Sequence, residues 1–129
     1  MATVLVVDSD RGFVARLRRG LQAAGHRVAT ASSASEALHL MREQTPDAVV
    51  TEVMIDYVLA GWDLVRAMRA DPALCGVPVV ITTSLTGAPT HAGEGQADSV
   101  DVSAWLAKPV SPAEVLQHLV PLLASPEAT

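Results

Sequence analysis

Apolar runs of strand length alternate along this chain with amphipathic stretches, the pattern of successive βαβ units on a parallel sheet. Thr3–Val7 reads as the first strand. A helix follows in which Phe13, Leu17, Leu21 and Ala24 share one face, Arg16, Arg18 and Arg19 fall off it, and Gly25 supplies the stop. Arg27–Ala31 alternates apolar and polar positions, as an edge strand does. Ser33-x-x-Glu36 is a capping box that opens the second helix, and Pro46 brackets that helix from its far side. Asp47–Val53 reads as a central strand and Gly61–Ala70 as a helix with Leu64, Val65 and Met68 inward. Val77–Thr82 is almost wholly apolar, which predicts a strand buried on both faces.

Past that strand the pattern weakens. Gly87, Pro89, Gly93 and Gly95 oppose a stable helix across Leu85–Val100, so a fourth helix between His91 and Val100 is expected to be short or mobile. Ala104–Ala107 is a short fifth strand. Ser111-Pro112-x-Glu114 then joins a capping box to proline at the first helical position, a strong start signal for a last helix. Leu116, Leu119, Val120 and Leu123 are its expected buried stripe, and Pro121 is expected to kink it or end it early. Five βα units place the chain in the α/β class, as a doubly wound five-stranded parallel sheet with five helices. One domain over residues 1–124 with a short tail at 125–129 is expected.

Composition narrows the classes. A chain of 129 residues suffices for one domain with a real core and is too short for two. Half the residues are hydrophobic, yet no apolar run approaches the roughly 18 needed to span a bilayer. The first residues enter a strand pattern at once and lack the basic segment of a signal peptide. Cys75 has no internal disulfide partner, which fits a reducing compartment, and nothing near it suggests an activated thiolate. A cytoplasmic protein, with no membrane attachment, is the expectation. Nine basic against fourteen acidic residues give a net charge of −5, which disfavours nonspecific nucleic-acid binding. The four histidines (26, 39, 91, 118) make no metal-ligand spacing and read as surface or partly buried positions. Met41, Met54 and Met68 read as core filler, and Trp62 as a cover for the start of the third helix.

Candidate chemistry gathers where strands end. Glu52 closes the central apolar run, Asp8-Ser9-Asp10 closes the first, and Lys108-Pro109 follows the fifth. Strand ends of a parallel sheet converge on one edge, so these groups are expected in one shallow pocket. Two carboxylate clusters and a lysine there suggest a hard cation and a phosphoryl group. Thr82, Thr83 and Ser84 are all acceptable strand-end residues, and the arginines at 11, 16, 18 and 19 make a basic helix face, solvated or open to an acidic partner.

Five stretches in order resemble the receiver domain of two-component response regulators: Val4-Leu-Val-Val-Asp8, Pro46-Asp-Ala-Val-Val-Thr-Glu-Val-Met54, Gly61-x-Asp-Leu-Val-Arg66, Val77-Pro-Val-Val-Ile-Thr-Thr83 and Trp105-Leu-Ala-Lys-Pro109. The resemblance spans essentially the whole chain. It implies the flavodoxin-like (CheY-like) fold with sheet order 2-1-3-4-5, and phosphoryl transfer from a histidine kinase to an aspartate with Mg²⁺ bound. It makes the chain a signalling module and not an enzyme. Asp8 matches the first acid after strand 1, which helps hold Mg²⁺; Ser9 falls where a second acid, a direct metal ligand, normally sits. Asp10, Glu52 and Met54 complete the candidate metal set. Glu52 takes the place of the phosphoacceptor, Thr83 matches the hydroxyl that senses the phosphoryl group, Lys108 matches the lysine that pairs with it, and Trp105 falls on the aromatic switch. Asp56 stands where proline is common, in a loop one residue longer than usual. The face formed by the fourth helix, fifth strand and last helix is implied for contact with a kinase, an effector or a second copy.

Both departures in the acid pattern damage the same function. Mg²⁺ demands near-ideal octahedral oxygen ligation, and a serine hydroxyl is a poor substitute for a carboxylate's charge. Asp10 compensates only if it turns inward, and it suits the N-cap of helix 1 equally well. A methylene added at the central acid moves its oxygens by about 1.5 Å. In-line phosphoryl transfer depends on placement, where errors near 1 Å can cost about a hundredfold. The expected function is therefore a stand-alone, phosphorylation-impaired receiver with weakened Mg²⁺ binding, in which a Glu52–Lys108 ion pair imitates part of the acyl-phosphate contact. Two alternatives stay open: a receiver that accepts phosphate on Glu52 or Asp56, and a small nucleotide- or flavin-binding protein of the same fold. The acidic loop Asp8-Ser9-Asp10-Arg11-Gly12 repels phosphate unless a cation intervenes, which counts against the last.

Overall fold

A computed structural model describes residues 2–54, 60–84 and 102–124. The elements run β1 (Thr3–Val7), α1 (Arg11–Ala23), β2 (Arg27–Ala31), α2 (Ala34–Glu43), β3 (Ala48–Thr51), α3 (Ala60–Ala70), β4 (Val79–Thr83), β5 (Ala104–Ala107) and α4 (Pro112–Ala124). The five strands form one parallel sheet in the order β2-β1-β3-β4-β5. This is the flavodoxin-like, CheY-like arrangement, with four helices among the described residues. The helix expected between His91 and Val100 lies outside those residues, as does Asp56.

Alternation along the strands builds two cores. Leu5, Val7, Val49, Val79 and Ile81 face one side with Met41 of α2 and Leu64, Val65 and Met68 of α3. Val4, Val6, Val50 and Val80 face the other with Phe13, Leu17 and Leu21 of α1 and Val115 and Leu119 of α4. β1, β3 and β4 are thus covered on both faces, which is why residues 4–7, 48–50 and 79–81 are all apolar. β2 and β5 are the edges. No helix among the described residues is long and apolar enough to cross a membrane.

Local signals set the helix ends. Gly25 adopts φ +94°, its N–H donates to the Gln22 carbonyl at 2.9 Å, and the His26 N–H donates to Leu21 at 3.1 Å. That pair of bonds is a Schellman stop, and it leaves Ala24 outside the helix and exposed instead of on its buried face. Ser33 Oγ accepts from the Glu36 N–H at 3.1 Å, but the Glu36 carboxylate reaches past Ser33 to the Ser32 N–H at 3.0 Å. At α4 the box is reciprocal: Ser111 Oγ accepts from the Glu114 N–H (3.2 Å) and the Glu114 carboxylate from the Ser111 N–H (2.9 Å).

Three expectations are corrected here. α4 continues three residues past Pro121, to Ala124. Pro121 and Gln117 both lie on the exposed side, so the carbonyl that loses its partner can turn to water. Val120 is 53% exposed; Val115 and Leu119 are fully buried, and Leu116 and Leu123 of the expected stripe pack, partly buried, against the same core. Met54 is 41% exposed and no core filler, because it follows the end of β3 where the chain leaves the sheet.

Two glycines permit close approaches. A Cβ on Gly20 of α1 would stand 2.5 Å from Cβ of Pro112 at the start of α4. A Cβ on Gly61 would strike the Glu52 carbonyl and stand 2.7 Å from Cα of Val53. The Gly61 N–H instead donates to the Val53 carbonyl at 2.7 Å, pressing the start of α3 onto the turn that carries Glu52.

Candidate functional site

The strand order reverses at β1: β2 lies on one side of it and β3 on the other. A crevice opens at such a switch point, beyond the carboxyl ends of the strands. Backbone bonds carry the ladder one residue into it. The Asp8 N–H donates to Ala31 (3.1 Å), the Glu52 N–H to Val7 (3.0 Å) and the Lys108 N–H to Thr83 (2.7 Å). Each functional side chain therefore leaves from backbone already fixed by the sheet. The Lys108–Pro109 peptide is cis.

Asp8, Glu52 and Lys108 meet there. Lys108 Nζ lies 2.7 Å from Asp8 Oδ2 and 3.3 Å from Glu52 Oε1. It also stands 4.3 Å from the centroid of the Phe13 ring, a cation–π contact that seats the ammonium from below. Asp8 is 4% exposed and Glu52 3%. The longer Glu52 side chain curls back, so Oε2 accepts from the N–H groups of Val53 (2.8 Å) and Met54 (3.3 Å) while Oε1 also accepts from Ser84 (3.4 Å). Asp8 Oδ1 accepts from the Asp10 N–H at 2.9 Å. All four carboxylate oxygens of the pair have donors.

Burial holds the Asp8 carboxyl above its ordinary 3.8, and the nearby Glu52 charge adds to the rise. The Lys108 hydrogen bond, the Asp10 amide and the Lys108 charge pull the other way without cancelling it. Among the described residues no group of three or more His, Cys, Asp or Glu side chains is placed to hold a metal ion.

The remaining candidates are distributed around this cluster. Thr83 is the last residue of β4, buried, and pairs in register with Ala107. Ser9 is exposed. Asp10 serves as the N-cap of α1, its Oδ1 accepting from the Phe13 N–H at 3.1 Å. Trp105 does not pack on the last helix. Its ring lies 5.2 Å from that of Trp62 at an interplanar angle of 33°, on the α3 side of the sheet. Parity explains the placement: Ala104 and Leu106 face α1 and α4, so Trp105 between them must face away.

Phe13 is the functional contact that sequence reasoning missed, since it was read only as a core position. The available signal was the cap at Asp10, which fixes residue 13 in the first helical turn, close to the strand ends.

Residues 4–120 match the response regulator receiver domain family. The transcriptional regulatory protein PrrA of Mycobacterium tuberculosis is 36% identical over 120 residues, 93% of this chain and 49% of that protein. AfsQ1 of Streptomyces coelicolor is 34% identical over 84 residues, 65% of this chain and 36% of that one. The chain thus spans about half the length, or less, of these curated relatives. Among solved structures, the chemotaxis response regulator CheY4 of Vibrio cholerae is 28% identical with a TM-score of 0.82, covering 95% of this chain and 98% of that one. The receiver domain of the sensor histidine kinase PA1611 from Pseudomonas aeruginosa, solved with a magnesium ion coordinated in its active-site cleft, is 23% identical over 96% of this chain and 98% of that one. Its TM-score of 0.80 shows a shared fold. Matched over nearly its whole length and built on the same sheet order, the chain belongs to the receiver domains of two-component response regulators.

Proposed function

We propose that this receiver domain is impaired in phosphorylation and works through protein contacts, as a signalling module of the cytoplasm in one folding unit over residues 1–124. The observation that carries the reading is the state of Lys108. Its ammonium lies between the two carboxylates, 2.7 Å from Asp8 and 3.3 Å from Glu52, with no phosphoryl group required. The pair supplies part of the charge contact that an acyl phosphate would make to the same lysine. An octahedral Mg²⁺ is poorly served by this arrangement, because the acid oxygens already accept from Lys108 and from backbone N–H groups with which it would compete. Ser9 contributes no charge, and the Asp10 carboxylate is engaged as a helix cap. Weakened Mg²⁺ binding follows. A phosphoryl group on Glu52 would have to displace the carboxylate from two backbone amides and sit about 1.5 Å beyond the place of an aspartyl phosphate.

Trp105 supports the same reading at the other end of β5. Its tilted contact with Trp62 of α3 favours one side-chain position at the residue that matches the switch. A kinase or effector then reads a surface near one conformation, formed among the described residues by β5 and α4.

The test is Mg²⁺-dependent binding of beryllofluoride, read by the emission of Trp62 and Trp105. No change at millimolar Mg²⁺ is the expected result, and a saturable change would restore the phosphorelay. Alongside it, Glu52→Asp is expected to be labelled by acetyl phosphate faster than wild type. Labelling no faster would sink the account of the defect.

A further inference from the structure

The four arginines of α1 hold a concentration of positive charge that the crevice does not use. Arg11, Arg16, Arg18 and Arg19 are four of the nine basic residues in a chain of net charge −5, and all four are exposed. α1 contains no acid. None of the four is in an ion pair with a described residue. A helix surface this basic would ordinarily be interleaved with acids that make i,i+4 pairs.

Two of them line a cavity. Arg11 and Arg18, one heptad apart, form a wall of an open space of about 330 Å³, and Ser9, Thr30, Ser32 and Glu36 lie around it. The acid on the far wall is already engaged: Glu36 Oε1 accepts from the Ser32 N–H at 3.0 Å. Ser32 Oγ also donates to Glu36, at 3.4 Å. The Ser9 and Thr30 hydroxyls and two guanidinium groups are left to face an incoming group, beside the Glu36 carboxylate held by Ser32 and the Asp8 carboxylate held by Lys108. Asp8 belongs both to this cavity and to the Lys108 cluster, so an occupant would lie against the crevice.

We propose that the Arg11–Arg18 face of α1 docks an acidic segment of a protein partner. This deepens the reading that the domain works through protein contacts, and it rests on that reading. Spacing favours a peptide. Two helical turns separate the guanidinium stems by about 10.5 Å along the axis. Carboxylates two turns apart on a helix, or three residues apart on an extended strand (about 10 Å), match that span. Guanidinium groups bind carboxylates by paired N–H donors, which fixes orientation as well as charge. Long polyanions fit less well. With screening over about 8 Å at physiological salt, a short acidic segment feels the local face, while nucleic acid or an anionic bilayer extends onto the acidic remainder.

The experiment uses the whole chain and a fluorescent glutamate oligomer of about 20 residues, followed by anisotropy. Binding is expected at low salt and weakens as salt is raised. The Arg11→Glu, Arg18→Glu double variant is expected to bind at least about tenfold more weakly, and the Arg11→Gln, Arg18→Gln pair to fall between. Both pairs lie on exposed helix positions, and an unchanged circular dichroism melt confirms that each variant is folded. Equal binding by wild type and the charge-reversed variant, or no binding at all, overturns the proposal. A single-stranded oligonucleotide or phosphatidylglycerol vesicles binding as tightly as the oligomer would also overturn it, since the face would then attract any polyanion. The beryllofluoride titration reads Lys108 and this one reads α1, so either reading can fail while the other stands.

Discussion

Asp8 carries the most informative single titration in this domain. Burial raises its carboxyl above 3.8 even though Lys108 stands 2.7 Å away. The folded chain therefore keeps a proton on Asp8 at pH values where the unfolded chain has released it. That contribution to stability is complete below 3.8 and is lost as pH rises through the folded value. Asp8→Asn removes this slope. Urea unfolding at a series of pH values is expected to show the variant gaining relative to wild type as pH rises above 3.8. A difference that moves against the variant over that window would mean that the Lys108 contact outweighs burial.

At the scale of elements, the contact between α1 and α4 is closest at Gly20. A methyl group there would stand 2.5 Å from Cβ of Pro112, whose ring is fixed at the first position of α4 and cannot yield as a flexible side chain could. Alanine gains about 1 kcal/mol over glycine within a helix, while overpacking costs about 1–3 kcal/mol. Gly20→Ala is expected to lose about 1 kcal/mol net, visible as a lower urea midpoint with an unchanged slope. A gain in stability would show that α4 shifts freely on α1. Helix ends were legible at this scale because caps are local: Gly25, Ser33 and Ser111 each act within a few residues. The inward side of α4 was not. Val115, Leu116, Leu119, Val120, Leu122 and Leu123 cover most of its circumference, so periodicity could not say which arc meets α1.

Across the whole molecule, Lys108 joins the ends of β1, β3 and β5, three strands drawn from distant parts of the chain. Lys108→Met keeps an apolar stem but removes the ammonium, so Phe13 loses its cation and two buried carboxylates lose their counter-charge. Breaking a buried pair on one side costs about 3 kcal/mol or more. Urea unfolding of the variant at pH 7 is expected to show a loss of that size, shrinking as acid protonates Asp8, whose carboxyl burial already holds above 3.8. A loss below about 1 kcal/mol, or one independent of pH, would indicate that water already screens the cluster.

Sequence alone determined the βα alternation, the sheet class, the helix caps and the strand ends that bear Asp8, Glu52 and Lys108. Those features follow from periodicity and from backbone bonds between near neighbours. Tertiary structure decided that Lys108 binds Asp8 more closely than Glu52, that Phe13 seats it, that Trp105 meets Trp62, and that Met54 and Val120 face outward. Each of these depends on how separate elements dock, and docking joins residues far apart along the chain, beyond the reach of any local pattern.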